Sequence, residues 1–154
     1  MERESWASTE GVRRSMVSNT RRDTSIELNV RRILHAGGMR YRVDFAPLLS
    51  LRRRADLVFT SVKLAVFIDG CFWHSCHVHG TLPKTNATYW LSKLEANEVR
   101  DRDTDERLCQ AGWTVRRFWE HEPAPDVAAL VIAEYRGLVA LQSDNASTSR
   151  TGND

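Results

Sequence analysis

No stretch of about 18 consecutive apolar residues occurs in the 154-residue chain, so a membrane-spanning helix is not expected. The opening segment MERESWASTEGVRRS lacks the apolar core of a secretory signal, which makes a cytoplasmic protein the expectation. Cysteine is scarce and odd in number: Cys71, Cys76 and Cys109. In a chain without a secretory signal this argues against a disulfide framework and for metal ligation. Charge of either sign is nearly balanced, at +2, so the total says little about partners and the distribution must be read instead. Lysine is almost absent. Only Lys63, Lys84 and Lys93 stand among the 22 basic residues, the rest being arginine, whose planar fork suits bidentate phosphate contacts.

What is present fits one compact domain with a modest core, at 42% apolar content. Residues 1–22 are polar and basic, carry Arg13, Arg14, Arg21 and Arg22, and read as a flexible arm. A single domain is expected over 23–142, followed by a disordered tail over 143–154. Within the domain, Ile26, Val30, Ile33 and Leu34 recur at helical spacing between a cap-like Asp23-Thr24 and Gly37-Gly38. Tyr41, Val43 and Phe45 alternate as in a strand. RRRADLVF and KLAVFIDG form a hairpin about a turn at 60–63. A long polar helix runs from Ala87 to Gly112, with Leu91, Leu94 and Leu108 expected inward and Cys109 expected in packing; a strand (WTVRRFW) and a Pro-initiated amphipathic helix follow. This order gives an α/β fold, a mixed sheet with helices on its faces.

Two carboxylates frame the hairpin. With an even turn, Asp56 faces Phe67, and Asp69 lies on the same face one diagonal away, about 7–8 Å between side-chain bases. Such a pair can converge on a hard cation such as Mg²⁺. His74, just beyond Asp69, is a natural general base for water. Glu27 could reach the same metal from the first helix, although its position also suits an ordinary first-turn glutamate favoured by the helix dipole.

The segment DGCFWHSCHVHG, residues 69–80, then supplies Cys71, Cys76 and His79 within nine positions. Thiolates with imidazole specify zinc rather than magnesium. The fourth ligand of a closed site could come from His74 or His77 nearby, or from the distant His121 after the last strand.

The blocks RDTSIE, RRADLVF, VFIDGCFWHSCHVHG, PKTNATYW, KLEANEVRD and AGWTVRRFWE resemble, in that order, the very-short-patch repair (Vsr) endonucleases, over roughly residues 12–122. The resemblance implies a restriction-endonuclease-like fold of the PD-(D/E)XK type with a structural zinc site. It also implies an Mg²⁺-dependent, monomeric enzyme that nicks one strand of double-stranded DNA 5′ to the thymine of a T·G mismatch. On this likeness Asp56 holds the metal, the Ile68 carbonyl is a backbone ligand, His74 is the catalytic histidine and Glu27 the supporting acid. The zinc set becomes Cys71, Cys76, His79 and His121, with His77 the substitute for His79. Phe72 and Trp73 become a wedge between base pairs, Met16 a wedge from the other groove, and Arg13, Arg14, Arg21, Arg22 and Lys84 further DNA contacts. Position 69 departs from the pattern, being aspartate where the best-known member has a second histidine, which implies a two-carboxylate metal site of Asp56 and Asp69. A Vsr-like nicking enzyme of other specificity, or a zinc-stapled DNA-binding module without catalysis, are the rival expectations.

Overall fold

A computed structural model describes residues 23–79, 82 and 84–149. The basic arm, with Arg13, Arg14, Met16, Arg21 and Arg22, lies outside the described residues. The first helix, α1 (Ser25–Ala36), starts where Thr24 caps it: its hydroxyl oxygen accepts from the Glu27 amide at 3.4 Å. It stops at Gly38, whose φ of 75° is costly for other residues. The amides of Gly38 and Met39 return to the carbonyls of His35 and Leu34. The second helix, α2 (Ala87–Gln110), ends in the same way: Gly112 has φ 82°, and the amides of Gly112 and Trp113 donate to Cys109 and Leu108. The third, α3 (Ala124–Thr148), opens with proline in its first turn, where the missing N–H costs nothing.

Four strands form one mixed sheet in the order β1 (Arg42–Phe45), β2 (Ala55–Phe59), β3 (Leu64–Asp69) and β4 (Thr114–Trp119). The first three are antiparallel in sequence order, and β4 lies parallel to β3, with α2 as the crossover. This is the mixed sheet with flanking helices expected from the sequence. Alternation along the strands sends two sets of side chains to opposite faces. On one, Leu57, Phe59, Leu64, Val66 and Ile68 pack against Val30 and Leu34 of α1 and Val127 and Val131 of α3. On the other, Val58, Ala65 and Phe67 meet Leu108 of α2. β3 is buried along its whole length, which is why its sequence is nearly continuous apolar until Asp69.

Three expectations need correction. Leu91 is 43% exposed, because the residues of α2 that face inward are Trp90, Leu94, Thr104 and Leu108, and Leu91 stands about 100° around from Trp90. Cys109, next to Leu108, is exposed for the same reason and packs no core. The tail from 143 is not wholly irregular: α3 runs on through Thr148, where Ser143, Ser147 and Thr148 donate their hydroxyls to carbonyls four residues back. No helix among the described residues is long and apolar enough to cross a membrane.

Candidate active site and metal centre

The hairpin has the even turn the sequence predicts, with Phe59 opposite Leu64 and Leu57 opposite Val66. Backbone pairing ends there. The amide of Ile68 donates instead to the Asp56 carboxylate, at 2.6 Å, so a side chain fills the place of the next rung as the strands part. Burial pushes the Asp56 carboxyl up to about 7 against the pull of that hydrogen bond, and the carboxylates of Glu27 and Asp69 push it the same way. Glu27 is 3% exposed, and one of its oxygens accepts from the Asp23 amide at 2.9 Å and from Arg31 at 3.1 Å. It is therefore both a cap of its own helix and a near neighbour of Asp56. A desolvated, half-buried acid acted on by two others has a standing demand for a cation.

Asp69 sits at the end of β3 and is 8% exposed. Both its oxygens accept from one nitrogen of Arg117, at 3.0 and 3.1 Å, and its Oδ1 lies 3.9 Å from Nε2 of His74. The other ring nitrogen of His74, Nδ1, is hydrogen-bonded to Asp101 of α2. Burial opposes protonation of His74, but the bond to Asp101 and the charges of Asp69 and Asp101 prevail and raise its pKa. Asp101, although partly desolvated, is held below the usual carboxylate range by His74 and Arg117. Asp69 is raised by burial, against Arg117 and His74. Arg117 crosses over the Phe67 ring at 4.2 Å and binds Asp105 through Nε and Nη2 at 2.8–3.0 Å, so its charge is more firmly held than usual.

The Asp69, His74 and Asp101 ligand atoms lie within 4.8 Å of one another, close enough to hold a cation. The two carboxylates are, however, already engaged, Asp69 by Arg117 and Asp101 by Nδ1 of His74, and the guanidinium would stand against a second cation. An open cleft of about 400 Å³ beside them is also lined by His77, Glu98, Arg102 and Trp119. Asp56 does not line it: its charged neighbours are Glu27 and Arg31 of α1, with Asp69 between the two groups. The expected pairing of Asp56 with Asp69 is thus one of neighbouring charges, and Asp69 is turned to Arg117.

The loop after β3 is tied down at several points. The Cys71 amide donates to Glu120 at 3.0 Å, the Asn97 side chain donates to the Trp73 carbonyl at 3.0 Å, and the Cys76 amide returns to the Cys71 carbonyl. It brings Cys71, Cys76, His79 and His121 together, each offering one ligand atom, all within 4.8 Å of each other. Nδ1 of His121 lies 3.1 Å from the Cys71 sulfur and 3.7 Å from that of Cys76. Such separations match the edges of a tetrahedron with Zn–S of about 2.3 Å and Zn–N of about 2.0 Å. Burial and the neighbouring Cys76 push the Cys71 thiol up to about 11, so a thiolate here needs a cation. The donor set fits zinc. His77 is exposed and outside this group, and His74 is engaged with Asp101.

Phe72 and Trp73 are half-buried and lie edge-on to each other, centroids 5.0 Å apart. Both pack on Trp90 of α2, at 5.5 and 6.0 Å, and Tyr89 adjoins it. Lys84 is exposed. Residue types and spacing alone do not single out Asn97, Asp101, Arg117, Glu120 or Trp90. A signal for Asn97, Asp101 and Thr104 is nevertheless present: positions 90, 94, 97, 101, 104 and 108 share one helical stripe, and its middle is polar where a core stripe should be apolar.

Residues 8–80 match the family model described as DNA mismatch endonuclease Vsr. The chain is 47% identical over 124 residues to the type II nicking enzyme V.NaeI of Lentzea aerocolonigenes, covering 79% of this chain and 75% of the relative. It is 38% identical over 121 residues to the type II nicking enzyme V.XorIIP of Xanthomonas oryzae pv. oryzae, covering 77% and 85%. It is also 38% identical over 100 residues to the DNA mismatch endonuclease Vsr of Escherichia coli strain K12, covering 64% and 62%.

Proposed function

The chain belongs to the Vsr family of DNA mismatch endonucleases, and from that premise we propose that it nicks one strand of duplex DNA 5′ to the thymine of a T·G mismatch. It acts in the cytoplasm, as a monomer with one active site, on a nuclease domain of the restriction-endonuclease-like kind. The observation that carries this reading is the His74–Asp101 pair, set beside Asp69 at the end of a hairpin whose other strand holds Asp56 within the field of Glu27.

Asp56, with the Ile68 carbonyl, would hold the catalytic magnesium, and Glu27 would help to keep it there. When bound, that ion supplies Lewis-acid stabilisation of charge on the phosphate. The chain's own groups do the rest. Asp101 fixes the proton on Nδ1 of His74, which leaves Nε2 with its lone pair toward the cleft. Nε2 takes the proton of a water as its oxygen attacks phosphorus, and the phosphorus–oxygen bond to the leaving sugar breaks, that sugar oxygen taking a proton from solvent. The nearby carboxylates stabilise the imidazolium formed, as the raised pKa of His74 reflects.

The cysteine–histidine cluster would hold zinc and so stiffen the loop that carries Phe72 and Trp73. Those rings would enter the stack at the mismatch, where unstacking costs least. Seated on Trp90, they are braced against yielding when pushed between bases. Lys84 and the arginines at 13, 14, 21 and 22, together with Met16, would add contacts along the duplex.

A second reading keeps the nuclease but changes its target, and the relatives named type II nicking enzymes favour it. The test is strand nicking of duplexes that carry T·G, matched C·G or other lesions, with Mg²⁺ supplied or withheld. Nicking of T·G alone supports the repair reading. Nicking only of another duplex overturns the target and keeps the nuclease, and tight binding without any cleavage favours a DNA-binding module.

A further inference from the structure

We infer that Arg117 is a positioning residue of the cleavage site: it holds Asp69 away from both the catalytic cation and Nε2 of His74, leaving that nitrogen open to water. The inference rests on the nuclease reading above and takes position 69 out of the metal-binding set.

Three features carry it. Every donor nitrogen of the Arg117 guanidinium faces a carboxylate. Nη1 spans both oxygens of Asp69, while Nε and Nη2 go to Asp105, with Asp101 a further 3.8 Å from Nη2. The two-nitrogen fork on Asp105 fixes the plane of the guanidinium and with it the direction in which Nη1 meets Asp69. The guanidinium is also seated on the Phe67 ring, so it does not swing with its long side chain. Turning Asp69 toward Asp56 would strip a largely buried guanidinium of one partner, a costly change.

The consequence for His74 follows from one distance. Asp69 Oδ1 stands 3.9 Å from Nε2, too far for a hydrogen bond and near enough to close with a small rotation. A carboxylate that closed on Nε2 would engage the atom that must accept the proton of water. Arg117 pulls the carboxylate the other way. Asp105 anchors the guanidinium from α2, the helix that also supplies Asp101, so one helix sets both sides of the imidazole.

The test uses the zinc-loaded chain and four variants: Asp56→Asn, Asp69→Asn, Arg117→Gln and the double variant Asp69→Asn/Arg117→Gln. Binding of Mn²⁺, followed by loss of the free-ion electron paramagnetic resonance signal, should be abolished by Asp56→Asn and changed less than about threefold by Asp69→Asn. Single-turnover nicking of saturating duplex should fall about tenfold or more in Arg117→Gln, a part of the roughly 10²–10⁴-fold that a general base contributes, while duplex affinity stays within about threefold. The double variant should recover much of that loss, since no carboxylate is left to restrain. Loss of Mn²⁺ binding in Asp69→Asn to the extent seen in Asp56→Asn would overturn the inference, as would a double variant no faster than Arg117→Gln alone. Should Arg117→Gln not fold, Arg117→Lys, which keeps the charge without the fork, replaces it with the same expectation. A wild type that nicks no duplex would sink the nuclease reading by itself, and the manganese comparison would still decide whether Asp69 is a ligand.

Discussion

Removing the charge of Asp56 should make the magnesium-free protein more stable while destroying its activity. In Asp56→Asn the amide oxygen can still accept from the Ile68 amide, so the hydrogen bond survives and only the carboxylate charge is lost. The carboxyl is raised from 3.8 to about 7, chiefly by burial, a shift of about three units worth roughly 4 kcal/mol at most. Relaxation of the site brings the expected gain to about 2–4 kcal/mol. The sign follows from proton counts. Between pH 4 and 7 the folded wild type binds more protons here than the unfolded chain, so its stability falls as pH rises through that window. The amide of the variant does not titrate. The gap between variant and wild type should therefore be near zero below pH 4, open between pH 4 and 7, and level off above. Urea unfolding of both proteins with zinc bound and magnesium absent, at pH 5 and pH 8, measures it. Added Mg²⁺ should narrow the gap by binding the folded wild type alone. A variant no more stable than wild type at pH 8, or a gap indifferent to Mg²⁺, would refute the account of Asp56 as a strained cation site.

Other perturbations reach other parts of the site. Asp101→Asn should lower nicking by about 10²–10⁴-fold, the range of general-base catalysis, with duplex affinity unchanged in a gel-shift titration; equal loss of affinity would make Asp101 structural. Cys71→Ser should release zinc and lower the melting temperature, and an unchanged metal content by elemental analysis would refute the ligand set. Trp90→Ala should cost about 3–5 kcal/mol by opening a cavity beneath Phe72 and Trp73, and should weaken binding to mismatched duplex more than to matched; a uniform loss would separate the aromatic cluster from mismatch recognition.

Much of the fold is legible because the elements carry strong local signals. The apolar periodicity and caps of α1, the glycines at 38 and 112, and the even turn at 60–63 each specify local geometry. Where expectation and structure part within α2, the cause is phase. The inner stripe of α2 passes through Trp90 and not Leu91, and a helix this polar has too few apolar residues to set its rotation. The cysteine–histidine cluster and Asp56 are legible from residue type, since thiols beside imidazoles and a carboxylate bordering a buried strand both point to a cation. The partner of Asp69 is not. Alternation puts Asp69 and Arg117 on one face, but the alignment of β4 with β3 depends on a parallel crossover through α2, which spacing alone does not specify.

The shifted stripe and the residues that spacing does not reveal have a common cause. Facing the sheet, α2 presents Trp90, Leu94, Asn97, Asp101, Thr104 and Leu108, and the polar members stand where a helix built only for stability would carry leucine. Each has a partner there: Asn97 holds the loop at Trp73, Asp101 holds His74, and Thr104 accepts from Arg53 and returns its own proton to the Arg100 carbonyl. Satisfied buried polar groups contribute little net stability, and left unsatisfied they are expensive. A helix that accepts this risk over about two turns is shaped by what it positions. The same holds where β2 and β3 part, where the carboxylates of Glu27 and Asp69 both act against the charge of Asp56. Polar residues at core phase, read as a set and not one at a time, therefore mark the end of the sheet around which the proposed chemistry is built.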